Sequence, residues 1–146
     1  MAFGQERKYL IMKDAYIFIS HSWKYNSEYE RLTALLDSRG YFDYKNYSVP
    51  KHDPLDINGS RYEKELEEAI RVQMALAQVV IVIAGKYVTY SDTIRMEIRV
   101  AKSMGKPIIA VRPYGANQIS SYAEDSADEI VGWNADSIVN AIRRWK

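Results

Sequence analysis

The spacing of hydrophobic positions changes repeatedly along the chain. "AYIFIS" (15–20) is a short apolar run rich in β-branched and aromatic residues, which predicts a strand. "NSEYERLTALLDSRG" (26–40) sets Tyr29, Leu32, Leu35 and Leu36 at helical spacing, with Asn26 or Ser27 as the cap and Gly40 as the stop. "YFDYKNYSV" (41–49) predicts a second strand, polar enough for a sheet edge. After the loop "PKHDPLDING" a helix opens at "SRYE", where Ser60 and Glu63 have capping-box spacing and Leu66, Ala69, Ile70 and Met74 make the buried face. "VVIVIAG" (79–85) is unbroken apolar sequence, as expected of a central parallel strand buried on both sides. "SDTIRMEIRVAKSMGK" (91–106) predicts an amphipathic helix ended by Gly105 and Pro107, and "PIIAVR" (107–112) a fourth strand. A loop over 113–128 leads to a short strand, "EIVGW", and a last helix from about Asp136 to Trp145.

Five β–α units in series imply an α/β three-layer sandwich with a five-stranded parallel sheet between helices. The common five-strand solution is the flavodoxin-like order 2-1-3-4-5, in which ligands bind outside the carboxyl ends of strands one and three. Those ends are Ser20-His21-Ser22-Trp23 and Ala84-Gly85-Lys86-Tyr87. Residues 1–13 read as an N-terminal arm and residues 14–146 as one domain.

One residue breaks the pattern of the helix over 91–106. At about 100° per residue, Val100, Met104, Ala101, Ile94 and Ile98 fill a continuous apolar arc, and Arg95, Arg99, Lys102, Ser103 and Lys106 fill the opposite side. Glu97 falls inside the apolar arc, where a carboxylate is rare unless paired or at work. Two readings stand on pattern alone. A desolvated Glu97 resists ionisation and becomes a proton carrier or, once ionised, a group that stabilises or attacks a developing cation, as at a sugar anomeric carbon. Alternatively it pairs with Arg112 or another basic group as a helix–sheet tether.

Composition narrows the function classes. The chain has 146 residues, 47% hydrophobic and 27% charged, which fits one ordinary globular domain. A formal net charge of +1 makes no electrostatic case for nucleic acid or a membrane surface as the main partner. Without cysteine there is neither a disulfide scaffold nor a thiol nucleophile. No segment approaches the ~20 apolar residues of a membrane span and the start lacks a signal-peptide core, so a cytoplasmic protein is expected. The 12 tyrosines suit stacking on planar ligands, although half-buried packing accounts for them as well.

Several chemistries lack their residues. A phosphoacceptor site needs acids after strand one and an aspartate ending strand three, where Ser-His-Ser and Ala-Gly stand. Neither GxxxxGK[ST] nor a GxGxxG turn after strand one is present, and "SHSWKY" is a poor flavin-phosphate loop. His21 and His52, with Asp43, Asp53 and Asp56, do not place three metal ligands on one rigid element. Ser20 and Ser22 flank His21, but neighbours in an extended segment point to opposite faces, so no serine–histidine pair forms there.

"DAYIFISHSW" (14–23) resembles the opening strand and loop of TIR domains, and "VVIVIAGKYVTYSDTIRMEIRVAKSMGKPIIAVRPYG" (79–115) resembles their central strand, glutamate helix and following strand. The details look most like the TIR-like proteins of Thoeris antiphage defence, over roughly residues 14–145. The resemblance implies an enzyme that cleaves the nicotinamide–ribose bond of NAD+, giving ADP-ribose or a cyclic or conjugated form that signals to an effector. NAD+ is then the substrate and no cofactor is implied. Glu97 maps onto the family's catalytic glutamate. Phe18, Ser20, His21, Ser22 and Trp23 would line the nucleotide pocket, Lys45 would meet the pyrophosphate, and Ser91 and Asp92 would sit at its rim or cap the helix. Homo-oligomers through TIR–TIR contacts are implied too. Two departures stand out: Thr93 replaces a tryptophan common four residues before the glutamate, and "VPKHDPLDING" lacks the usual glycine-bearing loop pattern. A non-catalytic TIR interaction module and a nucleoside deoxyribosyltransferase-like enzyme are the alternatives.

Overall fold

Odd and even positions of the strands face different helices. The computed structural model describes residues 12–22, 26–49, 59–115 and 118–146. Within them, β1 (Ala15–Ser20), β2 (Tyr44–Asn46), β3 (Val79–Ile83), β4 (Ile108–Val111) and β5 (Glu129–Val131) form one sheet in the order β2-β1-β3-β4-β5, with every neighbouring pair parallel. The helices are α1 (Asn26–Arg39), α2 (Gly59–Ala75), α3 (Asp92–Ser103), α4 (Ser121–Ser126) and α5 (Ala135–Trp145), with a 3-10 turn over Lys86–Tyr90.

Because side chains alternate along a strand and parallel neighbours share a face, the sheet sorts its residues into two cores. Ile17, Ile19, Val79, Ile81, Ile109 and Val111 pack on Leu32 and Leu36 of α1 and Ile138 and Ile142 of α5. Phe18, Val80, Val82, Ile108 and Ala110 pack on Leu66 and Ile70 of α2, Ile94 and Ile98 of α3 and Ala123 of α4. Burial on both faces explains why the "VVIVI" of β3 carries no polar residue.

The expected fold is observed, with shorter edges. β2 spans three residues instead of nine: Gly40 (φ +75°) and Tyr41 (φ +56°) turn the chain in left-handed geometry after α1, and pairing with β1 begins only at Tyr44. Gly105 (φ +67°) similarly closes α3 before β4. The loop expected over 113–128 contains α4, whose polar sequence shows no apolar stripe; it is held by Ser120, whose Oγ accepts from Ala123 N at 3.3 Å. The arm (apart from residues 12–13), the loop over 50–58 and the side chain of Ser60, with its expected capping box, lie outside the described residues. Among the described residues, no helix is long and apolar enough to cross a membrane.

Candidate functional site

Ser20, the last residue of β1, has the same parity as Phe18, so it faces α2 and α3 rather than α1. Glu97 reaches the same point from α3, on the row of buried residues that includes Ile94 and Ala101. The two meet: Ser20 Oγ donates to Glu97 Oε1 at 3.0 Å. Ser20 is fully buried and Glu97 is 5% exposed. Desolvation pushes the Glu97 carboxyl up to about 8, and the hydrogen bond from Ser20 pulls in the opposite direction. The tether reading fails on geometry: Arg112 is exposed at the end of β4, and among the described residues no ion pair involves Glu97.

The segment between β3 and α3 places the glutamate at this depth. β3 ends at Ile83, Ala84 N donates to Val111 O, and the 3-10 turn follows with Val88 buried. Ser91 then caps α3, its Oγ accepting from Ile94 N at 3.2 Å, and Asp92 is exposed in the first turn, favourable beside the helix amino end. Ser120 braces the turn through Thr89, with the two hydroxyl oxygens 2.8 Å apart. Gly85 stands at a close approach: a Cβ there would lie 2.2 Å from Tyr87 Cε1, so the ring would have to shift. The Tyr87 ring packs against the α2–α3 core, and its hydroxyl donates to the Glu28 carboxylate on α1, so it spans the carboxyl edge of the sheet. A hollow of about 460 Å³ opens at that edge, lined by Glu28, Lys86, Tyr87, Tyr114 and Gln118 among others.

The other expected site residues separate. Phe18 is fully buried beneath Ser20 in the α2–α3 core. His21 turns to the α1 side, where its ring stacks on Tyr29 with centroids 4.1 Å apart. His21 Nδ1 lies 3.3 Å from Ile19 O, and the tautomer with its proton on Nδ1 donates to that carbonyl. Burial pushes His21 down to about 4, so the ring is neutral at physiological pH. Ser22 is half-buried just beyond, and Trp23 lies outside the described residues. Lys45 is exposed on β2 in register with Tyr16, its ammonium 5.2 Å from the Tyr47 ring centroid. That level is four residues before Ser20, about 13 Å toward the amino edge, so the structure does not bring Lys45 to Ser20 and Glu97.

Two further residues, Asn46 and Ser48, hold the end of β1 and escaped the sequence reading. Where the β2 ladder stops, Asn46 Oδ1 and Ser48 Oγ accept from Ile19 N at 3.2 and 3.0 Å, and Ser48 Oγ donates to Ile19 O at 2.7 Å. Asn46 Nδ2 in turn donates to the Tyr29 hydroxyl at 2.7 Å. The available signal was the polar "KNYS" inside an apparent strand, where side chains compete with a ladder.

A family model described as "Thoeris protein ThsB, TIR-like domain" matches residues 18–118. Among solved structures the chain is similar to a 2-deoxyribosyltransferase from the psychrotolerant bacterium Bacillus psychrosaccharolyticus, at 20% identity and a TM-score of 0.51 over 80% of this chain and 85% of that one. It is also similar to the CMP N-glycosidase BcmB of Clostridium botulinum, at 17% identity and a TM-score of 0.48 over 90% of this chain and 99% of that one. No curated protein matches the chain.

Proposed function

This chain belongs to the family of the Thoeris ThsB TIR-like domain, and we propose that it is an enzyme of antiphage defence that cleaves the nicotinamide–ribose bond of NAD+, with Glu97 as the catalytic carboxylate. The observation that carries the reading is the burial of Glu97 at the carboxyl end of β1, with a hydroxyl and no cation as its partner among the described residues. A scaffold has no need of an acid there, since burying an unpaired carboxyl costs stability.

The chemistry needs one carboxylate. As the C1′–N bond breaks, its electron pair stays on the nicotinamide nitrogen, which leaves neutral and needs no proton. Glycosidases use two carboxyl groups because their leaving oxygen does need one. Positive charge grows on the ribose, and an ionised Glu97 beside it in a low-dielectric setting stabilises that charge. Water then captures the sugar and releases a proton to give ADP-ribose; capture by an atom of the same dinucleotide gives a cyclic product. Either serves as a signal to an effector. The fixed charge of the pyridinium also draws the proton off Glu97, because an opposite charge nearby favours the ionised form.

Release of nicotinamide from NAD+, with the adenine-containing product resolved by mass, tests the reading. Wild type turns over, and Glu97→Gln loses about 10²–10³-fold in kcat. In wild type, kcat/KM rises with pH through about 8, where the free carboxyl ionises. The limb in kcat lies lower, because bound substrate has already favoured the carboxylate. Undiminished turnover in Glu97→Gln removes the residue from catalysis. A deoxynucleoside with an acceptor base belongs in the same assay, since a 2-deoxyribosyltransferase shares the fold; transfer to that base without NAD+ cleavage replaces the proposed substrate.

A further inference from the structure

Ser20, expected to touch nucleotide, already has a use for its hydroxyl. It is fully buried, held by strand pairing in register with Val82, and donates to Glu97 Oε1 at 3.0 Å. We propose, resting on the reading of Glu97 as the reacting carboxylate, that Ser20 is a positioning residue: its hydroxyl holds the carboxyl in one orientation, favours its ionised form and leaves Oε2 for the ribose. A serine on a central strand is suited to this. The β3 ladder fixes the backbone on one side and the Asn46 and Ser48 side chains hold Ile19 on the other, and the hydroxyl rotates to serve a carboxylate or a carboxylic acid.

Neighbouring charged groups are exposed or make their contacts away from Glu97. On α3, Arg95 lies over the Tyr122 ring of α4 at 4.9 Å and Arg99 is exposed. On α2, Arg71 pairs with Glu67 at 3.2 Å and reaches Ser103 of α3. In the 3-10 turn, Lys86 is exposed and Tyr87 bonds Glu28. Beyond β1, His21 stands on the α1 side. The Ser20 hydroxyl is therefore the contact, among the described residues, that distinguishes one carboxyl oxygen from the other.

The test reads the carboxyl directly and the reaction separately. Protein labelled with 13C at its glutamate carboxyls is titrated by NMR, with the Glu97 signal identified by its loss in Glu97→Gln. Ser20→Ala is expected to move the Glu97 midpoint up by about one pH unit, the worth of one hydrogen bond to a charged group. Ser20→Thr keeps a hydroxyl and the wild-type midpoint. Ser20→Cys, a weaker donor, falls between them and serves as the second variant if Ser20→Ala does not fold. In nicotinamide release, kcat/KM of Ser20→Ala at pH 7 falls about tenfold, the effect of that unit on a free carboxyl that ionises near 8, and recovers at higher pH. An unmoved midpoint in Ser20→Ala overturns the assignment, and a raised KM at an unmoved midpoint makes Ser20 a substrate contact instead. A moved midpoint in a protein that releases no nicotinamide rejects the NAD+ reading while leaving Ser20 as the group that holds Glu97.

Discussion

Ser20 and His21 are consecutive residues facing opposite halves of the molecule, and each half buries a titratable group in its own way. On the α3 side an acid is buried with a hydroxyl donor, and burial pushes it up to about 8. On the α1 side a base is buried against the Tyr29 ring, and burial pushes it down to about 4. Desolvation acts on both against the charged form, so both are mainly neutral at pH 7. They differ in what surrounds them. His21 is locked by a ring stack and a network running from Tyr29 through Asn46 to the backbone N–H of Ile19, whereas Glu97 has, among the described residues, one side-chain donor from a neighbouring strand. The first arrangement suits a structural histidine and the second suits a carboxyl that must change its charge.

The largest effect expected in stability separates the halves by pH. Glu97 titrates higher in the folded chain than the usual 4.5, so its contribution is fully present below 4.5 and is lost as pH rises through about 8. Glu97→Gln, which keeps the shape and stays neutral, is therefore expected to match wild type at pH 4.5 and to exceed it at pH 9. The gain is about 3–5 kcal/mol, read as a higher Tm at pH 9 only. A gain of equal size at both pH values would mean that packing, not ionisation, sets the difference. Under the proposed function this cost is the familiar trade of stability for activity.

His21 has the opposite sign and a smaller range. Its folded value lies below the usual 6.5, so its contribution is present above 6.5 and is lost as pH falls toward about 4. His21→Phe keeps a ring against Tyr29 and cannot take a proton. It is expected to abolish an acid-side loss of about 2–3 kcal/mol. Between pH 4.5 and 6.5 the two slopes oppose each other in wild type. Each single variant exposes the other's slope: Glu97→Gln loses stability on acidification through that window, and His21→Phe loses it as pH is raised. Melting curves at half-unit steps decide the matter, and slopes of the same sign in both variants would break the comparison. Nicotinamide release in His21→Phe is expected to stay within about tenfold of wild type, since the ring stands on the far side of β1 from Glu97.

Much of this contrast was legible in the chain itself. The alternation in "AYIFISHS" assigns Ser20 and His21 to opposite faces, and the helical wheel of 91–106 puts Glu97 among apolar residues. Both statements need only the two side-chain periods. Ser91 as cap follows from its place before an amphipathic run. What local period does not give is which of the two parities on β1 meets the layer that holds α3, because that depends on how strands pair across the crossovers. The Ser20–Glu97 contact needed that knowledge, joining residues 77 apart in sequence. The end of the β2 ladder was hidden for a related reason: "YFDYKNYSV" reads as one strand, yet Asn46 and Ser48 replace backbone partners with side-chain atoms. Lys45 shows the cost of taking a strand's end from sequence, since register places it beside Tyr16 rather than near Ser20.

The smallest effect tests whether the halves are tied together. Tyr87 packs on the α3 side and bonds Glu28 on the α1 side, and it lies so close to Gly85 that a methyl group there would overlap its ring. The backbone of Gly85 is ordinary, at φ −64°, so alanine suits it conformationally and the penalty comes only from the ring. Gly85→Ala is expected to cost about 1–2 kcal/mol by pushing Tyr87 off Glu28. The same change in a Tyr87→Ala background should cost almost nothing, giving a coupling energy of about 1 kcal/mol in a double-mutant cycle. Because the clash is steric, the cost should be equal at pH 5 and pH 9, unlike either titrating variant. If Gly85→Ala costs the same with and without the ring, Tyr87 does not hold the edge. The two sides would then be joined through the sheet alone, and the pH slopes of Glu97 and His21 should add independently.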